Sequence, residues 1–191
     1  IGAIVYFPLI FTGLASDDFE IIYRLTRTGM PAEGFFRPLS DASLIFNFSL
    51  AGGYEPWVFH LFNVLVHIGT AVMVFLFGRS ISSDTETGFR HTPILAAVLF
   101  LSYPFHSEGV VWISGRGAVM AAFFGMAALT VSISRIGLAM RLAGACTFYF
   151  LGLLCYESVF PLPLMVMLLP QTRITGKKTL TLWAGAFALT L

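Results

Sequence analysis

The sequence predicts an all-α protein that crosses a membrane several times. Hydrophobic residues make up 57% of the 191-residue chain and charged residues only 11%, with a mean hydropathy of +0.85. Such a composition lies far from that of soluble globular domains. Uncharged apolar runs recur along the chain between short polar segments. Because backbone polar groups in a bilayer must be paired within the protein, we expect these runs to be helices.

The apolar runs differ in their capacity to span a bilayer. Residues 57–77 form a full-length span, with Trp57 as an interfacial anchor and Arg79 just beyond the other end. Residues 1–14 and 93–103 are too short to cross about 30 Å of hydrocarbon unaided. The first of these is interpreted as the end of a truncated span. A further apolar run, residues 119–133, ends near Arg135.

Residues 142–170 allow two interpretations: one span, or two half-spans broken near Tyr156 and Glu157 with two prolines following. The distribution of charge favours the break, because basic residues concentrate on the cytoplasmic side of membrane proteins. With a break, one face receives Arg79, Arg90, Arg135, Arg141, Arg173, Lys177 and Lys178. The opposite, extracytoplasmic face receives most of the acidic residues: Asp17, Asp18, Glu20, Glu33, Asp41, Glu55, Glu108 and Glu157.

Residues 16–56 are expected to form the first extracytoplasmic loop. Phe19, Ile22, Tyr23 and Leu25 fall on one side of a short helix, and residues 40–51 also follow a helical pattern. Amphipathic helices that lie in the membrane interface fit both segments. The whole chain, residues 1–191, is interpreted as the N-terminal part of a transmembrane domain that is truncated at both ends.

Asp17 and Asp18 are the most informative functional residues. Carboxylates at a membrane boundary are costly unless they face water, a partner or a substrate, so an adjacent pair predicts a site. The alternative is a solvated loop in which Ser16, Asp17 and Asp18 cap a helix.

The remaining polar groups on the outer face also permit a site. Arg37 and Arg116 are suited to bind phosphate, since the guanidinium group donates two parallel hydrogen bonds. They alternatively pair with Asp41, Glu108 or lipid headgroups. His60, Asn63 and His67 share one face of the span 57–77, as ligands or proton carriers, or more simply as interhelical hydrogen-bonding groups. We assign no metal to them.

Several classes of function are excluded. The basic residues are dispersed, which gives no indication of nucleic-acid binding. Cys146 and Cys155 lie nine residues apart in apolar sequence, a spacing that predicts neither a metal site nor a disulfide framework. The sequence has no P-loop and no nucleophile elbow, so it does not support soluble nucleotide or hydrolase chemistry.

Three ordered motifs resemble GT-C membrane glycosyltransferases, most closely the group of tetratricopeptide-bearing transmembrane O-mannosyltransferases and their bacterial relatives. The first runs from Phe36-Arg37-Pro38-Leu39-Ser40 through Asn47 to Pro56-Trp57-Val58-Phe59-His60-Leu61-Phe62-Asn63 and His67. The second is the segment 103–116, which reads YPFHSEGVVWISGR, and the third is LLCYES at 153–158 with Pro161. This sequence departs from the group at Tyr103, where a histidine is usual, and at Tyr156, where a lysine is usual.

The resemblance implies a GT-C-like helical bundle that transfers a sugar, with inversion, from a polyprenyl-phosphate carrier to an extracytoplasmic protein, glycan or lipid acceptor. It implies Asp17 or Asp18 as the catalytic base, with Asp17 slightly favoured. The residues implied in substrate binding are Arg37, His60, His106, Glu108, Trp112, Arg116 and Glu157. Glu108 is expected to orient the acceptor or an arginine, and Glu157 to support the cavity wall. No cofactor is predicted, and the sequence does not support a divalent metal.

Two other functions are compatible with the residues. An ion- or proton-coupled transporter would also use an acidic outward cavity and broken spans. Polar groups crowded towards one face favour an enzyme fed by lipid-borne substrate. A structural membrane subunit or an inactive fragment is the third reading. We expect a multi-pass protein of a bacterial inner membrane with its site facing the periplasm, or alternatively of the endoplasmic reticulum membrane.

Overall fold

A computed structural model of the chain describes residues 6–15, 17–29, 36–82 and 91–169. Within these ranges every regular element is a helix. A short 3₁₀-helix, Phe7–Phe11, comes first. The α-helices follow as α1 (Asp18–Arg27), α2 (Pro38–Ala51), α3 (Pro56–Ile81), α4 (Thr92–Ser102), α5 (His106–Val111), α6 (Arg116–Ser132), α7 (Leu138–Leu153) and α8 (Leu162–Leu168), with a 3₁₀-helix Glu157–Val159 between the last two.

Helix α3 confirms the predicted full-length span. It begins at Pro56, where the missing amide hydrogen costs no helical bond, and carries no charge before Arg79. In the part of the chain that the structure describes, it is the one helix long and apolar enough to cross a bilayer. The all-α prediction is therefore confirmed, while the multi-pass arrangement stays a prediction.

Helix α6 lies at the centre of the bundle, between α3 and α7. It runs parallel to α3, because the Arg116 guanidinium donates to the Phe59 carbonyl at 3.2 Å and the Thr130 hydroxyl to the Met73 carbonyl at 3.4 Å. Its small residues permit the close packing: a Cβ at Gly117 would lie 2.8 Å from the backbone oxygen of Cys155. Alanine therefore does not fit there without a backbone shift.

The chain breaks after α7, as one of the two interpretations of residues 142–170 predicts. Tyr156 adopts an extended conformation, a 3₁₀-turn follows, and α8 begins after Pro161. Val166 of α8 packs against Ala145 of α7, so the chain returns alongside the helix that it has just left. The single-span interpretation is wrong, because extended backbone and proline interrupt the helix.

Helices α1 and α2 cover one end of the bundle. Their buried residues meet the start of α3 in one cluster: Ile22, Leu25, Leu44, Phe59 and Ile113. The helical prediction for both segments is confirmed, but only half of the predicted apolar side of α1 is buried. Phe19 and Tyr23 are 54% and 49% exposed, because the cluster is already filled by the other two residues.

The described acidic residues gather at one end of the bundle. We define the acidic end as the end formed by the N-termini of α1, α2, α3 and α6. It holds Asp17, Asp18, Glu20, Asp41, Glu55, Glu108 and Glu157, together with Arg37 and Arg116, and the opposite end holds Arg79, Arg135 and Arg141. Five residues of the charge argument lie outside the described residues: Glu33, Arg90, Arg173, Lys177 and Lys178.

Candidate functional site

A tight turn between α5 and α6, residues 112–116, organises the acidic end. The amide of Gly115 donates to the Trp112 carbonyl at 3.1 Å, and that of Arg116 to the Ile113 carbonyl at 3.2 Å. Ile113 is fully buried in the cluster beneath, which fixes the turn to the helices below. We call this segment the 112–116 turn.

Asp18 fastens the start of α1 to this turn. Its Oδ1 accepts hydrogen bonds from the backbone amide and the hydroxyl of Ser114, both at 2.8 Å. Its Oδ2 accepts one from the Ala15 amide at 3.1 Å. The residue is fully buried, so both oxygens are occupied by the protein itself. This arrangement gives Asp18 a structural role.

Asp17 is partly exposed and is held differently. Its Oδ1 accepts a hydrogen bond from the Trp112 indole at 3.0 Å and a longer one from the Ser114 hydroxyl at 3.4 Å. It occupies the N-cap position of α1 without making a side-chain cap bond. Among the described residues, Oδ2 has no hydrogen-bond partner. Asp17 is thus an oriented carboxylate, one oxygen of which has no partner within the described ranges.

Arg37 is anchored on the far side of the turn by the residues of the chain break. It donates to both carboxylate oxygens of Glu157, at 2.7 and 3.2 Å, and its guanidinium lies 4.0 Å from the centre of the Tyr156 ring. The hydrogen bond to Arg37 lowers the pKa of Glu157. The predicted alternative pairing with Asp41 or Glu108 is therefore replaced by a pairing with Glu157.

Two clefts open at the acidic end and share a wall. The Arg37 cleft, of about 320 Å³, is lined by Arg37, Glu108, Trp112, Ser114 and Tyr156, with small residues between them. The Ala15 cleft, of about 410 Å³, is lined by Ala15, Glu108, Val111 and Trp112. Glu108 and Trp112 belong to both, and Asp17 is bonded to Trp112. Neither Asp17 nor Asp18 is among the described lining residues of the two clefts, and Asp17 is connected to them through its hydrogen bond to Trp112.

A smaller apolar pocket, of about 170 Å³, lies deeper along α3. His67, Phe100, His106 and Val119 are among its lining residues, and it shares Phe105, Gly109 and Ala118 with the Arg37 cleft. His106 contacts the Phe100 carbonyl through Nδ1 at 2.9 Å, so Nδ1 is the donor and Nε2 of the neutral ring is an acceptor. The structure thus places His106 in this pocket rather than in the cleft.

Arg116 does not reach either cleft. It is fully buried and donates to the Asn47 side chain at 2.6 Å, with further bonds to Ser43 and to the Phe59 and Ile113 carbonyls. Its guanidinium also lies 4.8 Å from the centre of the Phe62 ring. The expectation of direct substrate contact is therefore corrected, because its donors are directed into the protein. Arg116 supports the 112–116 turn from below.

His60 is likewise buried, at 1% exposure, and its Nε2 lies 3.1 Å from the Thr12 hydroxyl. It packs under the acidic end, so a direct contact with substrate is corrected to a supporting position. Asn63, one turn further, donates to the Val110 carbonyl at 3.2 Å and links α3 to α5. Within the described ranges, Asn63 is the one of the three polar residues on this face of α3 that makes the predicted hydrogen bond between helices.

Metal-binding residues are not grouped in the described ranges: no set of three or more histidine, cysteine, aspartate or glutamate side chains is placed to hold an ion there. The chemistry available is that of carboxylates, one accessible guanidinium and aromatic rings. Sequence reasoning overlooked Ser114, which touches both aspartates. The sequence marked Tyr156 as the position of the break and as a departure from the group. It did not identify Tyr156 as the aromatic ring that would make a cation-π contact with Arg37.

Comparison with known proteins identifies relatives of the chain. Protein O-mannosyl-transferase TMTC2 of Mus musculus is 35% identical over 89 residues, which is 47% of this chain and 10% of that protein. Protein O-mannosyl-transferase TMTC4 of Homo sapiens is 33% identical over 97 residues, 47% of this chain and 13% of that protein. Protein O-mannosyl-transferase Tmtc2 of Drosophila melanogaster is 32% identical over 97 residues, 51% of this chain and 10% of that protein.

The chain spans about a tenth of the length of these curated relatives. No protein-family profile matches it. No solved structure matches it either. The resemblance carried by the motifs is nevertheless confirmed: over about half of its length, this chain is similar to proteins named as protein O-mannosyl-transferases, which are glycosyltransferases.

Proposed function

We propose that the protein containing this chain transfers mannose from a polyprenyl-phosphate carrier to a hydroxyl group of a protein acceptor, with inversion at the anomeric carbon. The observation that carries the proposal is the Asp17 carboxylate, oriented by Trp112 beside two clefts and free at Oδ2 among the described residues. The names of the relatives support the enzyme class, the sugar and the protein acceptor. They give no support to the alternative of a transporter.

The transfer is a single displacement. The acceptor oxygen attacks the anomeric carbon, its proton passes to Asp17 Oδ2, and the bond from the anomeric carbon to the phosphate oxygen breaks with its electron pair on the phosphate. The departing lipid phosphate needs a cation, and Arg37 supplies one. Tyr156 and Glu157 hold that guanidinium at the cleft wall, so the charge is already positioned when the phosphate leaves.

The shape of the site suits an amphiphilic donor. The Arg37 cleft has a guanidinium group in its lining and lies next to the apolar pocket, with which it shares Phe105, Gly109 and Ala118. His67 in that pocket lies ten residues along α3 from Trp57, which is about 15 Å towards the middle of the helix. A phosphate at Arg37 would therefore direct the first isoprene units into the pocket beside His106.

The other predicted residues take defined parts in this proposal. Trp112 orients the base and lines both clefts, and Glu108 stands at the wall between them. Asp18 and Arg116 are buried and hold the 112–116 turn, and His60 packs below it. No step requires a metal ion.

The proposed setting is a multi-pass, GT-C-type membrane domain with the acidic end on the extracytoplasmic side. The relatives named above come from animals, which gives no support to a bacterial inner membrane and agrees with the alternative of the endoplasmic reticulum. Single cysteines at Glu20 and Ser80, in a Cys146→Ser background, test the arrangement. We expect a membrane-impermeant maleimide to label the two positions from opposite sides. Labelling from the same side would contradict the proposed topology.

The function is tested in the full-length protein by measuring transfer from polyprenyl-phosphate mannose to a serine- or threonine-containing protein acceptor. We expect Asp17→Asn to lower kcat by at least about 100-fold, which is the usual contribution of a general base. Glu20→Gln is the matched control, because Glu20 is exposed on the same helix and, among the described residues, its side chain pairs with Arg24 alone. Equal activities in the two variants would contradict the assignment of the base.

A further inference from the structure

The two clefts at the acidic end differ in chemistry although they share a wall. The Arg37 cleft contains a guanidinium group besides Glu108, and it shares Phe105, Gly109 and Ala118 with the apolar pocket. The Ala15 cleft has an apolar lining, formed by Ala15, Val111 and the Trp112 ring, and Glu108 is the charged residue among its described lining residues. In the first cleft Arg37 can hold an anionic lipid, whereas in the second the lipid would face the carboxylate with no cation among the described lining residues.

The position of the proposed base, Asp17, indicates which cleft receives the donor and which receives the acceptor. Asp17 is bonded to the indole of Trp112, which lines both, and Ala15, two residues earlier, forms an edge of the Ala15 cleft. In a displacement reaction the base contacts the attacking hydroxyl, and the leaving group departs on the opposite side of the sugar carbon. A donor in the Arg37 cleft therefore requires the acceptor to approach from the Ala15 side.

Glu108 is available for a ligand. Its side chain is exposed and makes no hydrogen bond or ion pair with any described residue. The nearby guanidinium of Arg37 is directed to Glu157 at 2.7 Å. A carboxylate without a partner, standing in the wall of an otherwise apolar cleft, is complementary to a cationic group on a mainly apolar segment.

We propose that the Ala15 cleft binds the protein acceptor, and that Glu108 selects acceptor segments with a lysine or arginine close to the modified hydroxyl. The inference rests on the proposed function and extends it to the class of acceptor. Glu108 acts through recognition of the acceptor, so its effect belongs to the acceptor KM. Because Glu108 also lines the Arg37 cleft, acceptor recognition is read from the ratio of the acceptor KM values of different peptides, measured at saturating donor.

The test uses the full-length protein, polyprenyl-phosphate mannose and three synthetic peptides. The peptides share one serine and apolar neighbours, and differ in a single flanking lysine, glutamine or glutamate. For the native protein we expect the acceptor KM of the lysine peptide to be about tenfold lower than that of the glutamate peptide. We expect Glu108→Gln to remove the difference and Glu108→Lys to reverse it, with the donor saturating for each variant.

Glu55→Lys is the matched control, because Glu55 is exposed at the same end of the bundle and lines neither cleft. A reversal of preference in this variant as well would show a general effect of surface charge and overturn the inference. A change in acceptor KM with Glu108→Lys that is the same for all three peptides would overturn it too. Transfer to all three peptides with equal KM would overturn the inference and leave the proposed function intact, whereas absence of any transfer by the native protein would overturn both.

Discussion

The indole Nε1–H of Trp112 donates a hydrogen bond to Oδ1 of Asp17 over 3.0 Å, and this contact joins the start of α1 to the wall between the two clefts. It leaves Oδ2 as the oxygen that can take a proton. We expect Trp112→Phe to retain the ring but to lose the orientation of the carboxylate, which lowers kcat more than it raises either KM. Steady-state kinetics of the full-length protein measure this, and an unchanged kcat would contradict the role of Trp112.

The two adjacent aspartates are expected to differ in what their loss does. Asp18→Asn replaces a carboxylate whose two oxygens accept three hydrogen bonds by an amide with a single acceptor oxygen. We expect it to lower the free energy of unfolding by about 1–3 kcal/mol, the usual cost of leaving a buried polar group unpaired. Thermal unfolding in detergent measures the loss, with Asp17→Asn as the control, since Asp17 is partly exposed. Equal destabilisation by both would contradict the division of roles.

Arg116 is expected to resist even a conservative replacement. Arg116→Lys keeps the charge but cannot reproduce the fork that reaches Asn47, Ser43 and the Phe59 carbonyl together. We expect destabilisation of about 3–5 kcal/mol, as for a buried charge that loses its partners. Arg79→Lys, at the exposed end of α3, is the control and should leave the unfolding temperature unchanged. An unfolding temperature for Arg116→Lys equal to that of the native protein would show that the network is dispensable.

The close approach of α6 to the chain break gives a prediction about packing. A Cβ at Gly117 would lie 2.8 Å from the backbone oxygen of Cys155, and backbone yields less readily than a side chain. We expect Gly117→Ala to destabilise the protein by about 1–3 kcal/mol, as overpacking does in other cores. At Gly137 no atom lies within 4 Å of the added Cβ, so Gly137→Ala is the control. The comparison is made by thermal unfolding, and equal effects would contradict the close packing.

Asp41 and Glu157 are expected to act on stability with opposite dependence on pH. Burial raises the pKa of Asp41, and the nearby Arg37 offsets this only in part. A carboxyl group with a raised folded-state pKa binds its proton more tightly when folded, so its contribution improves as the pH falls towards that pKa. The pKa of Glu157 is lowered by Arg37, so its contribution is present above the ordinary carboxyl pKa and is lost on acidification through the lowered value.

Unfolding measured from neutral pH down to about pH 3, below the ordinary glutamate pKa of about 4.3, separates these two effects. We expect Asp41→Asn to be more stable than the native protein at neutral pH and to lose that advantage in acid. We expect Glu157→Gln to be less stable at neutral pH, with the difference shrinking as the pH falls. Parallel pH profiles for the native protein and both variants would contradict the assignments.

The sequence was sufficient to predict the features that depend on length and charge. The span of α3 follows from an uncharged run that ends near Arg79, and the break at Tyr156 follows from the need to keep the basic residues on one face. The two helices before α3, α1 and α2, were predictable from the periodicity of their apolar residues. The exposure of Phe19 was not, because it depends on which other residues form the cluster beneath.

The division of roles among the polar residues was beyond the sequence because their partners are distant in the chain. Asp17 and Asp18 are neighbours in sequence, yet they differ in burial. The buried one, Asp18, accepts hydrogen bonds from the amide and the hydroxyl of Ser114, almost a hundred residues away. Arg37 and Arg116 both looked like phosphate ligands, since an arginine is identical in either place. Arg116 differs because it donates hydrogen bonds to the Asn47 side chain and the Phe59 carbonyl inside the protein. These partners are distant in sequence and become visible only in the folded structure.

The separation in sequence between the contacts of the site has a consequence for biosynthesis. Arg37 and Glu157 lie 120 residues apart, and Asp18 and Ser114 lie 96 apart. A ribosome that makes the chain in order releases both aspartates and Arg37 long before their partners exist. During that interval the three charges lack these distant partners and depend on water for their solvation. The site is thus assembled late in synthesis, when residue 157 has emerged and the two halves of the bundle meet.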